Sequence, residues 1–472
     1  MRTFSFTRSV PDPTPLLFLV AAVLAWVLLS GDPQPARPWL LGAFILPAAC
    51  ALMYVLSTRV ETALPALFAT AVMSRFYLEL GGLKARPEHI MIGLLCVAAV
   101  FYWRRRTEPL RWILADYFLL AYIGLNLYSS LEMSVAPGQT LKWAAQQILV
   151  ILAYFLLRIL AGEAETFRRA VRVLVAVGAV EGAYAVVCFF SNLLLKTSFG
   201  VEVDQYETFP GTYGTLYEAN ILGAFCAACL VMALVMYFQE RRRRYLLAAG
   251  LTYAGMIIAL SRAAIIASAV SMIVLYLAGR STRIIDWRGI KAVVATLLVA
   301  SLILAPAIIP LYVERFSTVE VSDPSADADT ALRVATIWMA IDDIAQQPFF
   351  GNGTSSFQLL VSNRELGLGD SNEAGAWIGN VEMRVMHDTG AVGLAVFVCF
   401  VIYLAVPAWK LVRSRQHPEL LALLLAALVY SMTFQATEGT LLAFFWVHAG
   451  LIAWAISIYY PLGKGIKEPL EI

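Results

Sequence analysis

Two arginines occupy positions where a chain of this kind rarely places them. Arg333 opens a stretch from Asp329 to Gln347 that reads as a helix. Thr330 is its N-cap, Pro348 its stop, and Val334, Ile337, Trp338 and Ile341 form an apolar face at helical spacing. A cation in a first turn opposes the helix dipole, which favours anions there. Together with the backbone N–H groups, such a cation makes a seat for a phosphate. Arg262 repeats the arrangement, with Ser261 as N-cap of the next candidate helix. A single arginine of this type reads as a snorkelling anchor satisfied by lipid headgroups, whereas two read as the clamp of a shared anionic ligand.

Carboxylates and rings cluster near these cations in sequence. The segment 203–220 holds Asp204, Tyr206, Glu207, Phe209, Tyr213, Tyr217, Glu218 and Asn220, with a turn marked by Pro210 and Gly211. Tyrosines with carboxylates suit sugar recognition by stacking and hydrogen bonding; the alternative, an aromatic interface belt, accounts for the rings but not the acids. Further on, Asn380, Arg384 and His387 recur at helical spacing and share one face, beside Glu373, Glu382 and Asp388. Glu218, Glu382 and His387 are the candidates for a general base.

The elements that position these residues are membrane spans. Sixty per cent of the 472 residues are hydrophobic and only 14% charged, and the mean hydropathy is +0.73. A spanning helix needs about 20 mainly apolar residues. Candidate runs fall at 16–29, 39–57, 63–79, 89–103, 112–131, 141–160, 173–195, 220–238, 245–260, 263–278, 292–311, 390–409, 420–434 and 441–460. The third contains Arg75 and Glu79 and could equally be re-entrant or interfacial. The first could be a signal peptide, but no small-x-small cleavage site follows, so it reads as a span. The expected fold is an all-α polytopic membrane protein of 12–14 spans. It divides into an N-terminal bundle (1–209), a core with Arg262 (210–311), a long outer loop containing short helices (312–389) and C-terminal spans (390–472).

Basic clusters at Arg104–Arg106, Arg168/Arg169, Arg241–Arg244, Arg280 to Lys291 and Lys410 to Arg415 fall on alternate loops. The positive-inside rule puts these loops, and both termini, in the cytoplasm. The net charge of +2 conceals the opposite bias outside, where 312–388 holds twelve acidic residues against four basic ones. Such a surface excludes nucleic acid as a partner. Within this loop, 320–329 reads as an acidic linker and 377–388 as a helix leading into the next span. The six cysteines all lie in apolar segments, so no disulfide framework is expected, and Cys226 and Cys229 read as packing residues. Carboxylates outside are too scattered for a metal site, and no cofactor is expected. Asp116, Asn126, Gln146, Gln147 and Glu181 are buried polar residues that line a cavity or hold helices together. His448 reads as a core histidine and His417 as cytoplasmic.

Three stretches resemble the O-antigen ligase/polymerase superfamily of bacterial polysaccharide enzymes. The first is Gly211 to Asn220, the second Ser261-Arg262. The third runs from Arg333 through Trp338, Pro348, Gly351, Gly353 and Phe357 to Asn380, followed after nine residues by Gly390-Ala-Val-Gly393. The resemblance covers 210–404. It implies a metal-independent glycosyltransferase in the bacterial inner membrane that moves a glycan from undecaprenyl diphosphate to an acceptor hydroxyl. Arg262 and Arg333 would hold the diphosphate, with Tyr213, Tyr217, Asn220, Trp338, Asn380 and Arg384 around the substrates. The acceptor would be a glycan or a lipid-linked chain; membrane lipid, a chain-length regulator and a flippase are the further partners implied. Gly379 stands where ligases of this family carry a histidine, which favours a repeat-unit polymerase over ligation to lipid A core or to protein. A transporter is the third reading, although no repeated halves are visible.

Overall fold

The computed structural model describes residues 60–80, 83–105, 110–160, 162–202, 211–282, 285–317, 328–362, 377–413 and 417–460. The runs at 16–29 and 39–57, both termini, the loop 203–210, the acidic linker through residue 327 and Glu373 lie outside this set.

Within it the chain is a helical bundle with two short hairpins. Helices α1 (Val60–Ala71), α2 (Pro87–Arg105), α3 (Leu114–Tyr128), α4 (Pro137–Ile159) and α5 (Ala164–Leu195) form the first part. A core follows of α6 (Ala219–Glu240), α7 (Arg243–Ile258), α8 (Arg262–Thr282) and α9 (Trp287–Ser317). After α10 (Ala328–Gln346) and α11 (Phe357–Ser362) come α12 (Val381–Arg413), α13 (Pro418–Thr433) and α14 (Ala443–Tyr459). Among the described residues six helices, α4, α5, α6, α8, α9 and α12, are long and apolar enough to cross a membrane, and α13 and α14 are shorter apolar helices. The chain is a multi-pass membrane protein by this measure.

The bundle is built around α6, which is buried along its whole apolar length and packs on α5, α7, α8 and α13. Small residues allow this crowding, as expected where helices associate by close packing. A Cβ at Gly182 of α5 would lie 2.4 Å from the Leu251 carbonyl of α7, and one at Gly255 would lie 2.8 Å from the Gly182 Cα. Cys226 and Cys229 are free thiols buried at this crossing.

Two expectations are corrected, at 63–79 and at Thr330. The run 63–79 is a 12-residue helix, α1, followed by an antiparallel pair, β1 (Leu78–Leu80) with β2 (Leu83–Ala85). The sequence between the strands is Gly81-Gly82, a hairpin signal that ends helical reading. Thr330 is not an N-cap, because α10 already begins at Ala328. The apolar face of α10 is not its packing face: Val334 is 44%, Trp338 64% and Ile341 40% exposed, whereas Thr336, Ala340, Asp343 and Ile344 are buried. In a membrane protein an apolar stripe can face outward, and the buried side is then free to be small and polar.

Two hairpin and cap details bear on the site. β3 (Val201–Glu202) pairs with β4 (Gly211–Thr212) just before α6. The helix expected over 377–388 begins at Val381, where Asn380 caps it by accepting a hydrogen bond from the Met383 N–H at 2.9 Å.

Candidate functional site

Helix α12 is broken at Gly390, whose backbone (φ 69°, ψ −174°) is open only to glycine. A break frees carbonyls on one side and N–H groups on the other, and burial requires that both find partners. The 347–356 loop after α10 supplies them. The Asn352 and Gly353 N–H groups donate to the carbonyls of His387 (2.8 Å) and Asp388 (3.1 Å), while Ala391 and Val392 donate to Pro348 (2.8 Å) and Phe349 (3.2 Å). The approach leaves no room for side chains. A Cβ at Gly390 would stand 2.2 Å from Phe349 carbonyl atoms, and one at Gly351 2.5 Å from the Asp388 carbonyl carbon. The spacing Gly351-x-Gly353 with Gly390 therefore describes two backbones stitched together.

A third strand of this suture comes from α3 and the π-helical turn Ser129–Met133. Ser129 Oγ donates to the Asp388 carbonyl at 2.6 Å and accepts from the Gly353 N–H at 3.0 Å. Ser130 Oγ accepts from the Thr354 N–H at 3.1 Å, and the Thr354 hydroxyl donates to Asn126 Oδ1 at 3.1 Å. Asn126 thus holds elements together, as expected of a buried amide. A π-turn at such a point is a common companion of functional sites.

The suture presents a buried charged cluster. Arg384 lies between Asp388 (3.4 Å) and Glu438, and also reaches Ser355 Oγ and Thr440 Oγ1, both at 3.3 Å. His387 is fully buried, with Nδ1 3.2 Å from Asp388 Oδ1 and Nε2 3.5 Å from Asp343 Oδ2 of α10. The Ser355 N–H donates to Asp388 Oδ2 at 3.0 Å. Three carboxylates thus surround one guanidinium and one imidazole, tying α10, α12 and the α13–α14 connection together.

That connection, residues 434–442, is the part of the site that the sequence did not reveal. Gln435 accepts from Asn380 Nδ2 at 2.7 Å and donates to both oxygens of Glu382 at 2.8 and 2.9 Å. Thr437 Oγ1 donates to Glu218 Oε2 at 3.3 Å, and Glu438 holds Arg384. Residues more than 160 positions apart, from Glu218 to Glu382, are therefore joined through six consecutive residues, Gln435 to Thr440. The segment has one charged residue and lies between two apolar helices, so only that isolated Glu438 could have flagged it.

Glu218 is half-buried at the N-cap position of α6, and its Oε1 accepts from Asn220 Nδ2 at 2.7 Å. The loop leading to it is anchored by Glu181 of α5, which accepts from the Thr215 N–H (2.8 Å) and hydroxyl (2.7 Å). Glu181 is thus a loop anchor. Tyr213 is buried and Tyr217 is 37% exposed. Arg262 is half-buried in the first turn of α8, after a sharp turn at Leu260 (φ 53°). The Ala264 N–H donates to Ser261 Oγ at 3.4 Å. Ser261 sits against α6 at Gly223, where an added Cβ would be 2.8 Å from Ser261 Cβ. Arg262 therefore begins its helix about one turn from Asn220. Arg333 is on α10, ten residues before Asp343; its side chain lies outside the described set. Trp338 is exposed and is not brought to Glu218 or Arg384 by any described contact.

Glu218, Arg262, the Arg384–His387 cluster and the 434–442 connection collect at one end of the bundle. Helix α6 runs from Ala219 at this end to Glu240, next to the Arg241–Arg244 cluster at the other. Among the described residues no group of three or more His, Cys, Asp or Glu side chains is arranged to hold a metal ion. Compared with known proteins, the chain matches no protein-family model and no curated protein. The resemblance to O-antigen ligases and polymerases rests on its motifs alone.

Proposed function

We propose that the chain is a glycosyltransferase that uses a polyprenyl-diphosphate-linked glycan as donor at the outer face of the bacterial inner membrane, and that it is a repeat-unit polymerase. One observation supports this reading above the rest: the 434–442 connection joins Glu218 of the first motif stretch to Asn380, Glu382 and Arg384 of the third, at the end that carries Arg262.

In the reaction the bond between the sugar anomeric carbon and the diphosphate oxygen breaks, and the acceptor oxygen takes its place. The leaving group keeps the electron pair, so Arg262 and Arg333 have the task of neutralising it. The acceptor proton passes to a base or to the leaving phosphate. Among the candidate bases, His387 is fully buried between two carboxylates. A base must reach the hydroxyl it deprotonates, so His387 and Arg384 are assigned to positioning. Glu382 has both oxygens on Gln435, and Glu218 has one oxygen on Asn220 and the other on Thr437. Glu218 stands at the mouth of α6 beside the loop with Tyr213 and Tyr217, which makes it the first choice.

Glycan profiling of a deletion strain tests the proposal. A polymerase leaves single repeats on lipid; unattached long chains would indicate a ligase instead, and unchanged glycans would remove the proposal. Orientation is checked in a background without native cysteines. Trp338→Cys should react with an impermeant thiol reagent in cells with a permeabilised outer membrane, while Arg242→Cys should not.

A further inference from the structure

Helix α1 and the β1–β2 hairpin bring two more arginines to the acidic end. Arg75 lies three residues before β1 and Arg86 one residue after β2. Because Leu78 pairs with Ala85, the hairpin places both at its open end. That end docks on the loop before Glu218. The Arg75 N–H donates to the Thr215 carbonyl at 3.1 Å, and its guanidinium donates to the Tyr217 carbonyl at 3.4 Å. The guanidinium also lies 4.4 Å from the centre of the Tyr213 ring. Tyr217 has a guanidinium near it from each arginine, Arg75 at 5.9 Å and Arg86 at 5.8 Å from its ring centre.

Among the described residues these cations are poorly compensated. Among the described residues no carboxylate stands within ion-pair distance of Arg75. Arg86 has Glu88 at 3.7 Å, but neither oxygen of that buried carboxylate has a hydrogen-bond partner. The contact is one of charge, without the paired N–H···O bonds that an arginine fork makes with a committed partner. Snorkelling toward headgroups would explain cations at this level, yet it requires neither a ring beneath the guanidinium nor a second arginine at the same ring. Stacking on tyrosine fixes a guanidinium plane and leaves its edge to bind. Two forks from two sides of one hairpin suit a group with more than two acceptor oxygens.

We propose that Arg75 and Arg86, with the ring of Tyr217 between them, form a phosphate-binding seat separate from Arg262. The phosphate is that of a diphosphate ligand or of a phospholipid headgroup, and the seat is defined by its own residues whatever reaction the protein performs. Binding of inorganic pyrophosphate to the full-length Arg262→Ala protein in phosphatidylcholine nanodiscs, followed by calorimetry, isolates this seat from the other. Saturable binding should persist there and weaken by about tenfold or more on adding Arg75→Gln and Arg86→Gln. The Arg75→Lys, Arg86→Lys pair preserves charge and serves if the glutamine pair does not fold; it too should weaken binding, because a point charge cannot replace a fork. In nanodiscs containing phosphatidylglycerol, loss of bound anionic lipid from the variants without any pyrophosphate binding to the parent would assign the phosphate to a headgroup. Unchanged pyrophosphate affinity in either variant pair, or neither ligand bound by the parent, would overturn the seat. Failure of glycan transfer in the deletion-strain test leaves this binding result unaffected, so the two ideas fall separately.

Discussion

Two buried arginines, at opposite ends of the same bundle, are handled in different ways. At the basic end Arg158 of α4 meets Asp116 of α3 at 2.9 Å. Asp116 also accepts from the Tyr154 hydroxyl at 2.6 Å and from the Ile113 N–H at 2.9 Å, and Arg158 donates to the carbonyls of Ala453 and Arg111. One cation meets one anion, and the remaining donors and acceptors are filled. At the acidic end Arg384 shares its cluster with three carboxylates and a histidine, and the segment that supplies Glu438 and Thr440 also supplies Gln435, which holds exposed Glu382. A closed pair locks helices; a cluster with surplus carboxylates that leads to the surface has chemistry available to it.

Removing either arginine should therefore destabilise the protein, but unequally. Loss of one partner from a buried pair costs about 3–5 kcal/mol, because the other charge is stranded. Arg158→Met strands one carboxylate, and Arg384→Met strands both Asp388 and Glu438. Thermal unfolding in detergent should show the larger loss for Arg384→Met. Adding Asp116→Leu to Arg158→Met should recover part of its loss, since the stranded charge disappears. Equal losses for the two arginines would remove the distinction between the two ends.

The next effect is on turnover. Glu218→Gln keeps an oxygen to accept from Asn220 and turns the bond with Thr437 round, its amide donating to the hydroxyl, while removing the charge. Glycan transfer should fall by ~100-fold, about 3 kcal/mol in barrier, with lipid-linked donor still bound. His387→Gln should lower stability and transfer together, as expected of a residue that holds α10 to α12. If Glu218→Gln is fully active and a stably folded His387→Gln is dead, the assignment of base and positioning residue is reversed. If both retain activity, the arginines carry the reaction without a protein base.

This contrast also marks how far the sequence could be read. Long apolar runs located helices, and α6, α8 and α9, each long and apolar enough to span, fall where hydropathy put them, because a span is specified by length and composition. Pro348, Gly351, Gly353 and Gly390 were legible as punctuation, yet not as a suture, since that requires knowing that two distant backbones meet. The apolar face of α10 was legible as a stripe, yet its direction was not, since such a stripe can face outward, as Trp338 does at 64% exposure. Gln435 and Thr437 gave no signal because neutral residues acquire meaning only from the partners they touch. Arg75 had counted against a span, and the hairpin shows why a charge could be placed there.

The smallest predicted effect lies at the basic end, where the titration of one partly buried histidine can be followed. His417 precedes α13 with its ring stacked on Tyr459 at 3.8 Å. Burial, and secondarily the nearby Arg168 guanidinium, hold its pKa below the ordinary 6.5. The folded state therefore prefers the neutral ring. Stability from this preference is fully present above the unfolded pKa and is lost as pH falls through the lower folded one. His417→Phe retains a ring for Tyr459 but cannot titrate. Between about pH 7.5 and about pH 5.5, the melting temperature of the parent should fall by more than that of the variant. The difference should be small, since the ring is partly solvated and Arg168 is 43% exposed. An identical fall in both proteins would mean that His417 contributes nothing to the response of this end of the fold to acid.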